Sequence, residues 1–424
     1  MLFIYRVLPI GGIETFFVRM AKERARLGLT TSILLLSEPK DSNPELLAEM
    51  KKFAQVLFPK DIFLNIPYFS QLCPLLAPVK KNDLRLLLKK VDQIHVFDGM
   101  HALLGYHLAA MLNKNLPVTV GFYHYIKYLW GGDNVAWHEK VNRQFIFEYL
   151  PDKSLLFFSE GSRQLYTKHK NMSFHNANTF SLGVVDKKEV VLTSEINTPL
   201  RIVAIGRLVE FKTYNFYMIN VVKNLIDKGI DIRFDIYGDG PDKQGLQGKI
   251  KLLGMHNYVR LKGTLDYSKF DKTVATYDLF IGSGTAIVQA SALGLPSIVG
   301  VENVIQPKTY GYFCNVYQYQ YTRKGLDLPL VSVEGLISEY VEMASDSRIK
   351  LKKQHVACIE NFTNQSCQKS MDKLKNIIMP AELFKFNRYL YMLSYVFDMI
   401  NRRLNKKHPR VTQFEDFRNL NEND

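Results

Sequence analysis

Short runs of consecutive apolar residues alternate with longer stretches whose apolar positions recur every third or fourth residue, and this alternation runs through both halves of the chain. Continuous apolar runs suit strands covered on both faces, and the periodic stretches suit helices laid over those faces, so the pattern predicts α/β domains with mainly parallel sheets. In the first half it predicts strands at Leu2–Leu8, Thr31–Leu36, Val56–Phe58, Gln93–Phe97, Val118–Phe122 and Leu155–Phe158, with a Gly-Gly turn and a helix near Glu14–Leu27 after the first. The rhythm restarts with strands at Arg201–Ile205, Arg233–Tyr237, Val259–Gly263, Leu279–Ile281 and Ser297–Val301. Helices are expected between them near Phe216–Lys228, Lys243–Leu253, Tyr267–Ala275 and Thr285–Leu293. Between the halves, Ser181–Pro199 is polar and aperiodic, which marks a linker. The expected fold is α/β, with two doubly wound Rossmann-like domains, residues 1–185 and 186–375, facing each other across a cleft. A C-terminal extension over 376–424 is expected to hold an amphipathic basic helix and a polar tail. Such sheets bind ligands at the carboxyl ends of their strands, so the informative residues are those in the turns that follow each strand.

Composition supports this picture and narrows the partners. A chain of 424 residues with 47% hydrophobic content and 25 glycines is a folded, multi-domain protein, which excludes disordered and fibrous classes. Cys73, Cys314, Cys358 and Cys367 lack zinc or disulfide spacing and fit a reducing compartment. The start lacks the basic and cleavage regions of a signal peptide, and no run of ~20 uncharged apolar residues occurs, so neither a leader nor a spanning helix is expected. The formal charge of +14 calls for an anionic partner. Lys385, Arg388, Arg402, Arg403, Lys406, Lys407 and Arg410 face one acid, Asp398, within a segment rich in rings and aliphatics. That mixture suits a helix lying at an anionic membrane surface. An apolar stretch at Asp61–Phe69, followed by Lys80, Lys81, Arg85, Lys89 and Lys90, is read as core plus a solvated helix face, and also fits docking at the same surface. No recognisable nucleic-acid-binding module accompanies the charge, so nucleic acid is not expected as a partner. The expected location is cytoplasmic, on the inner face of the membrane.

Four turns carry candidate chemistry. Gly11 and Gly12 open a helix after the first strand, where bare backbone lets a phosphate approach, although no third glycine completes a dinucleotide fingerprint. Arg207 and Lys212 lie five positions apart in Gly206-Arg207-Leu208-Val209-Glu210-Phe211-Lys212, and a guanidinium fork with a lysine point charge matches a diphosphate without a metal. Thr264 and Leu265 follow a strand end where backbone groups could hold a nucleobase, and Tyr237-Gly238-Asp239-Gly240-Pro241 is read as a structural turn. In Gly282-Ser283-Gly284-Thr285, Thr285 is expected to cap a helix whose free N–H groups face the diphosphate, with Gln289 one turn inside to bond ribose. His95, Asp98 and His101 cluster at another strand end. With no fourth ligand they are read as facing an acceptor, Asp98 as a base or hydroxyl partner, and not as a metal site.

The order GR-x4-K, YGDGP, a glycine-rich turn, then Gln289-Ala-x-Ala-x-Gly-x-Pro296 resembles the donor half of the family 4 glycosyltransferases. Gly11-Gly12-Ile13-Glu14 and Phe122-Tyr123-His124-Tyr125 resemble that family's first-half turns more loosely, and the likeness covers roughly Met1 to Ser345. It implies the GT-B fold, transfer from a nucleotide-diphosphate sugar with retention of configuration, and no metal or other cofactor. It also implies that Arg207 and Lys212 bind the diphosphate, that Gly11 and Gly12 approach the same phosphates, and that His124 lies beside the reacting sugar. The family uses two glutamates eight positions apart at the last motif. Here Gln289 and Ile281 stand at those positions, or the shortened turn deletes the first and leaves Ser283 to reach the sugar. The expected activity is therefore glycosyl transfer to a glycan or lipid-linked acceptor in capsule, O-antigen or exopolysaccharide synthesis. A sugar-nucleotide epimerase or phosphorylase on the same fold, or a non-catalytic nucleotide-sugar-binding subunit, are the alternatives.

Overall fold

A computed structural model describes residues 1–412, apart from residues 10, 67, 125–126, 133, 189, 191, 267–268, 320 and 411. The chain forms two compact units, Met1–Gly183 with Asn364–Asp424, and Val184–Thr363.

The first unit is built on seven parallel strands, β1 (Leu2–Tyr5), β2 (Ser32–Leu35), β3 (Gln55–Leu57), β4 (Ile94–Val96), β5 (Val118–Phe122), β6 (Leu155–Phe157) and β7 (Asn178–Thr179), in the order β3-β2-β1-β4-β5-β6-β7. Its central strands are buried on both faces, as their unbroken apolar runs require. Along β1, Leu2 and Ile4 point to one core with Val96, Leu104 and Phe122, while Phe3 and Tyr5 point to the other with Phe16, Phe17 and Met20. Helices α1 (Gly12–Arg26) and α2 (Pro44–Phe53) cover the second face, and α3 (Lys81–Lys89), α4 (Gly99–Ala110) and α5 (Trp137–Gln144) cover the first; α6 (Glu160–Lys170) follows β6. Side-chain caps set several helix starts: Asn43 accepts from the Leu46 N–H at 2.9 Å, and Asp98 from the His101 N–H at 2.9 Å.

The second unit repeats the plan with five parallel strands, β8 (Leu200–Ile205), β9 (Ile232–Tyr237), β10 (Val259–Gly263), β11 (Leu279–Gly282) and β12 (Ser297–Val299), ordered β10-β9-β8-β11-β12. Helices α7 (Tyr214–Asp227), α8 (Lys243–Leu252), α9 (Phe270–Val274) and α10 (Thr285–Ala292) connect them, followed by α11 (Val333–Glu342) and α12 (Ser345–Cys358). The order of strands reverses direction between β8 and β11 here, and between β1 and β4 in the first unit. A ligand crevice opens at such a switch point.

The end of the chain lies differently from the expected division. Residues 364–375 do not continue the second domain, and the described residues from 376 to 412 are not a separate extension: both group with the first unit. Helix α13 (Asn364–Lys373) packs Cys367 and Met371 against α1, and the Gln93 amide donates to the Met371 carbonyl at 3.2 Å. Helix α14 (Arg388–Leu404) buries Tyr391 and Met392 in the first core, where the Tyr391 hydroxyl donates to Asn142 at 2.7 Å. Arg388 donates to the Leu75 carbonyl at 3.2 Å and reaches the His107 ring at 2.7 Å. The expected linker is also engaged: Val184 donates to the Phe362 carbonyl at 2.8 Å, and Lys188 pairs with Asp271. No helix among the described residues is long and apolar enough to cross a membrane.

Candidate functional site

In the second unit the turn after β8 is held by backbone contacts with the next turn. Gly206 N–H donates to the Tyr237 carbonyl at 3.0 Å, Leu208 N–H to Asp239 at 2.9 Å, and Gly238 N–H to Gly263 at 2.8 Å. A Cβ on Gly238 would overlap the Gly206 carbonyl, and one on Gly240 the Leu208 carbonyl, so the YGDGP turn is a rigid support for the cation-bearing turn beside it. On that support Arg207 is exposed, while Lys212 folds back with its Nζ over the bare Gly206 backbone. Burial lowers the Lys212 pKa; the Glu302 carboxylate opposes this and the Arg207 charge adds to it.

Glu302 is a residue that motif matching missed. It lies in the loop after β12, which docks on the Arg207–Lys212 turn: Asn303 N–H donates to the Phe211 carbonyl at 2.8 Å, and the Thr213 hydroxyl to Val304 at 2.7 Å. Ser283 donates from its hydroxyl to Glu302 at 3.0 Å, and the Tyr214 hydroxyl lies 3.4 Å from Ser283. An acid, a lysine and two hydroxyls thus meet where β8, β11 and β12 end. No sequence spacing announces this acid, because only the fold brings the β12 loop to the β11 turn.

The glycine-rich turn differs from expectation in one respect. Gly284, at φ +68°, is itself the N-cap of α10, and Thr285 is the first helical residue, exposed beside the free N–H groups. That backbone conformation suits glycine and excludes a threonine cap. Ile281 is fully buried in β11, and Gln289 is also buried. Thr264 is exposed and Leu265 half-buried just past β10, next but one to β8 in the sheet. The structure therefore gathers Arg207, Lys212, Ser283, Gly284 and Thr285 at the switch point, with Gln289 behind them and Thr264 and Leu265 to one side.

In the first unit, Gly11 and Gly12 follow β1, Asp98 and His101 follow β4, and His124 follows β5, so all five lie along one sheet edge. Gly11 leaves room for the Glu14 carboxylate, which is buried and accepts from the Tyr5 hydroxyl at 2.7 Å. His124 is half-buried, and its neighbours Tyr125 and Ile126 lie outside the described residues, as does Ile10 beside the glycine pair. The histidine cluster divides. His95 is fully buried between the Thr119 hydroxyl at 2.9 Å and the Tyr123 hydroxyl at 2.7 Å, and burial lowers its pKa to about 3. It is a neutral core residue. Asp98 caps α4 and lies 3.1 Å from the His101 Nδ1 and 3.8 Å from Lys127. Burial alone would raise the Asp98 pKa, but the His101 and Lys127 charges and two hydrogen bonds outweigh it and hold the carboxyl well below the usual range. Asp98 is thereby held ionised, facing His101 and Lys127. Among the described residues no three His, Cys, Asp or Glu side chains gather as a metal centre.

Asp98 and His101 open onto a cavity of about 340 Å³ in this unit, lined also by Arg6, Lys127, Trp130, Glu139, Arg402 and Arg410. Burial lowers the Lys127 pKa to about 8, Asp98 opposing and Arg410 reinforcing the shift.

Two parallel sheets with these switch-point sites define the GT-B class of fold, and solved structures agree. A glycosyltransferase from Rickettsia africae superposes with a TM-score of 0.60 at 15% identity, covering 88% of this chain and 97% of that one. The Anabaena protein HepE, in complex with UDP and glucose, gives a TM-score of 0.54 at 14% identity, covering 88% and 98%. Within that fold, residues 188–327 match the family model of the group 1 glycosyl transferases. A Haemophilus influenzae protein named as an uncharacterized glycosyltransferase is 27% identical over 157 residues, 35% of this chain and 43% of that protein. The curated relatives are matched over less than half of their own length.

Proposed function

We propose that the protein transfers a sugar from a nucleoside-diphosphate sugar to a glycan or lipid-linked acceptor, with retention of configuration and without a metal. The observation that carries this reading is the pairing of Arg207 and Lys212 with the open helix start at Gly284-Thr285, on adjacent strand ends of the second unit. Breaking the anomeric C–O bond leaves a further negative charge on the departing diphosphate, at its terminal phosphate. Fixed cations and the N–H groups of a helix start stabilise that charge more in the transition state than before it. Arg207 is placed for a forked contact, and Lys212 for a point charge that a partly desolvated setting strengthens. Glu302 and Ser283 supply the sugar-hydroxyl contacts that the family's first glutamate would make, since Ile281 is sealed in the core. Gln289 bonds ribose from behind the turn, Thr264 and Leu265 flank the base, Gly11 and Gly12 approach the phosphates, and His124 stands beside the transferred sugar. UDP with glucose in the Anabaena protein supports a nucleoside-diphosphate sugar as donor.

The same reading places the enzyme in surface-polysaccharide synthesis on the inner face of the membrane, held there by contact with anionic lipid. Helix α14 supports this: Tyr389, Leu390, Leu393, Phe397, Ile400 and Leu404 form one exposed stripe, bordered by Arg403, Lys406 and Lys407. In the Asp61–Phe69 stretch, Ile62 and Phe63 are core, whereas Leu64, Ile66 and Tyr68 are exposed.

Incubation with a panel of sugar nucleotides, reading release of free nucleoside diphosphate, tests the reaction. At least one donor should turn over, and Arg207→Ala and Lys212→Ala should each weaken donor binding roughly 10- to 100-fold, the loss of one charge-assisted contact. Unchanged donor affinity in both variants would sink the site assignment. Donor binding without turnover against any acceptor would favour the non-catalytic subunit.

A further inference from the structure

We propose that the cavity of the first unit binds an acidic acceptor, a sugar bearing a carboxylate or phosphate, with Arg6 and Arg410 meeting the acidic group. The inference rests on the glycosyltransferase reading above and specifies the acceptor that it leaves open.

Four cations line the cavity, Arg6, Lys127, Arg402 and Arg410, against three acids, Glu14, Asp98 and Glu139. Each acid is already committed. Glu14 accepts from the Tyr5 hydroxyl, Asp98 faces His101 and Lys127, and Glu139 accepts from Asn142 at 3.0 Å and Arg143 at 3.1 Å. Arg402 is partly neutralised by Asp398 at 3.5 Å, which also bonds the His408 ring at 3.0 Å. Among the described residues, neither Arg6 nor Arg410 enters an ion pair. Arg410 instead stands over the Trp130 ring, 5.7 Å from its centroid. Like charges crowd here: Arg410 lowers the pKa of both Lys127 and Arg402, each after the larger effect of burial. An anion in the cavity would relieve that repulsion.

A second observation points the same way. His101 lines the cavity and is 3% exposed; its Nδ1 faces Asp98, and its Nε2 is buried with no hydrogen-bond partner among the described residues. A buried polar nitrogen left unpaired is costly, and a ligand hydroxyl or oxyanion would satisfy it. The cavity, about 340 Å³, falls in the ~300–1,000 Å³ range of small-ligand sites, so it suits a sugar ring with its acidic group and not a flat headgroup layer. Helix α14 and the residue that follows it by six positions supply two of the four cations, which assigns the C-terminal segment a binding role beyond packing.

The test is calorimetric titration of the full chain with glucuronate, glucose 6-phosphate, glucose and inorganic phosphate, with UDP titrated in parallel. Both acidic sugars should bind at least about tenfold more tightly than glucose, the effect of one charge-assisted contact. Arg6→Gln and Arg410→Gln should each weaken them roughly tenfold while leaving UDP affinity unchanged. Equal binding of glucose and the acidic sugars, or acidic-sugar affinity unmoved in both variants, overturns the proposal. So does inorganic phosphate binding as tightly as glucose 6-phosphate, or UDP displacing glucuronate. Acidic sugars failing while UDP binds leaves the glycosyltransferase reading intact, whereas failure of UDP itself defeats that reading.

Discussion

At the residue scale the proposed donor site turns on Lys212. Burial lowers its pKa, so its positive charge is lost on the alkaline side earlier than for a free lysine near 10.4. UDP affinity measured across pH should therefore fall before that point, and Lys212→Arg, which stays charged throughout, should flatten the profile. A wild-type affinity that is level to pH 10 would remove Lys212 from the phosphate contact. Glu302 makes a different prediction, because the role proposed for it is a contact to the sugar's hydroxyls. Glu302→Gln should lower turnover roughly 10- to 100-fold with UDP affinity within about twofold, a split that separates a contact made in the transition state from one made to the nucleotide. Arg207, Lys212 and Ser283 were legible in the sequence because each follows a recognisable strand in a recognisable order. Glu302 was not, since its role depends on a loop folding back over a turn formed far earlier in the chain.

At the scale of elements, the central strands were the most legible, because a strand buried on both faces must be an unbroken apolar run, as Leu2–Tyr5 and Leu279–Gly282 are. The destination of α13 and α14 was not legible. Amphipathic period shows that Cys367, Met371 and Tyr391 need a partner, but nothing in it says that the partner lies hundreds of positions earlier. Turn chemistry was read correctly as structural at Gly238, and its cost can be measured: φ is +149° and a Cβ would meet the Gly206 carbonyl, so Gly238→Ala should lower stability by roughly 1–3 kcal/mol, read as a drop in Tm. Helix α12 is pinned to β12 by His355, whose Nε2 accepts the Ser297 N–H at 2.9 Å while its Nδ1 meets the Leu351 carbonyl at 2.9 Å. Burial lowers its pKa to about 4, so the unfolded chain takes up a proton first as pH falls. Stability is full above about 6.5 and is lost between there and about 4, by roughly 3 kcal/mol at about 1.4 kcal/mol per pKa unit. Urea midpoints at pH 7 and 5 check the sign, and His355→Gln should blunt the dependence.

At the scale of the whole molecule, the charge of +14 has two outlets of different character. Lys212 and the cations of the first unit's cavity are set among acids and backbone, whereas those beside the exposed stripe of α14 stand next to apolar side chains facing water. Phe397 is 63% exposed and Leu393 56%, on the same helix that buries Tyr391 and Met392. Packing therefore satisfies one side of α14 and leaves the other open, and an open apolar stripe bordered by arginine and lysine gains from an acyl boundary and an anionic headgroup layer together. The two contributions can be separated. Flotation with vesicles containing phosphatidylserine should carry the protein upward, with binding weakened by salt and by omission of the anionic lipid. Leu393→Asp with Phe397→Asp should abolish flotation without lowering Tm, because neither side chain belongs to the core. Vesicle binding that survives this double substitution would move the contact elsewhere on the first unit, to the exposed Leu64, Ile66 and Tyr68.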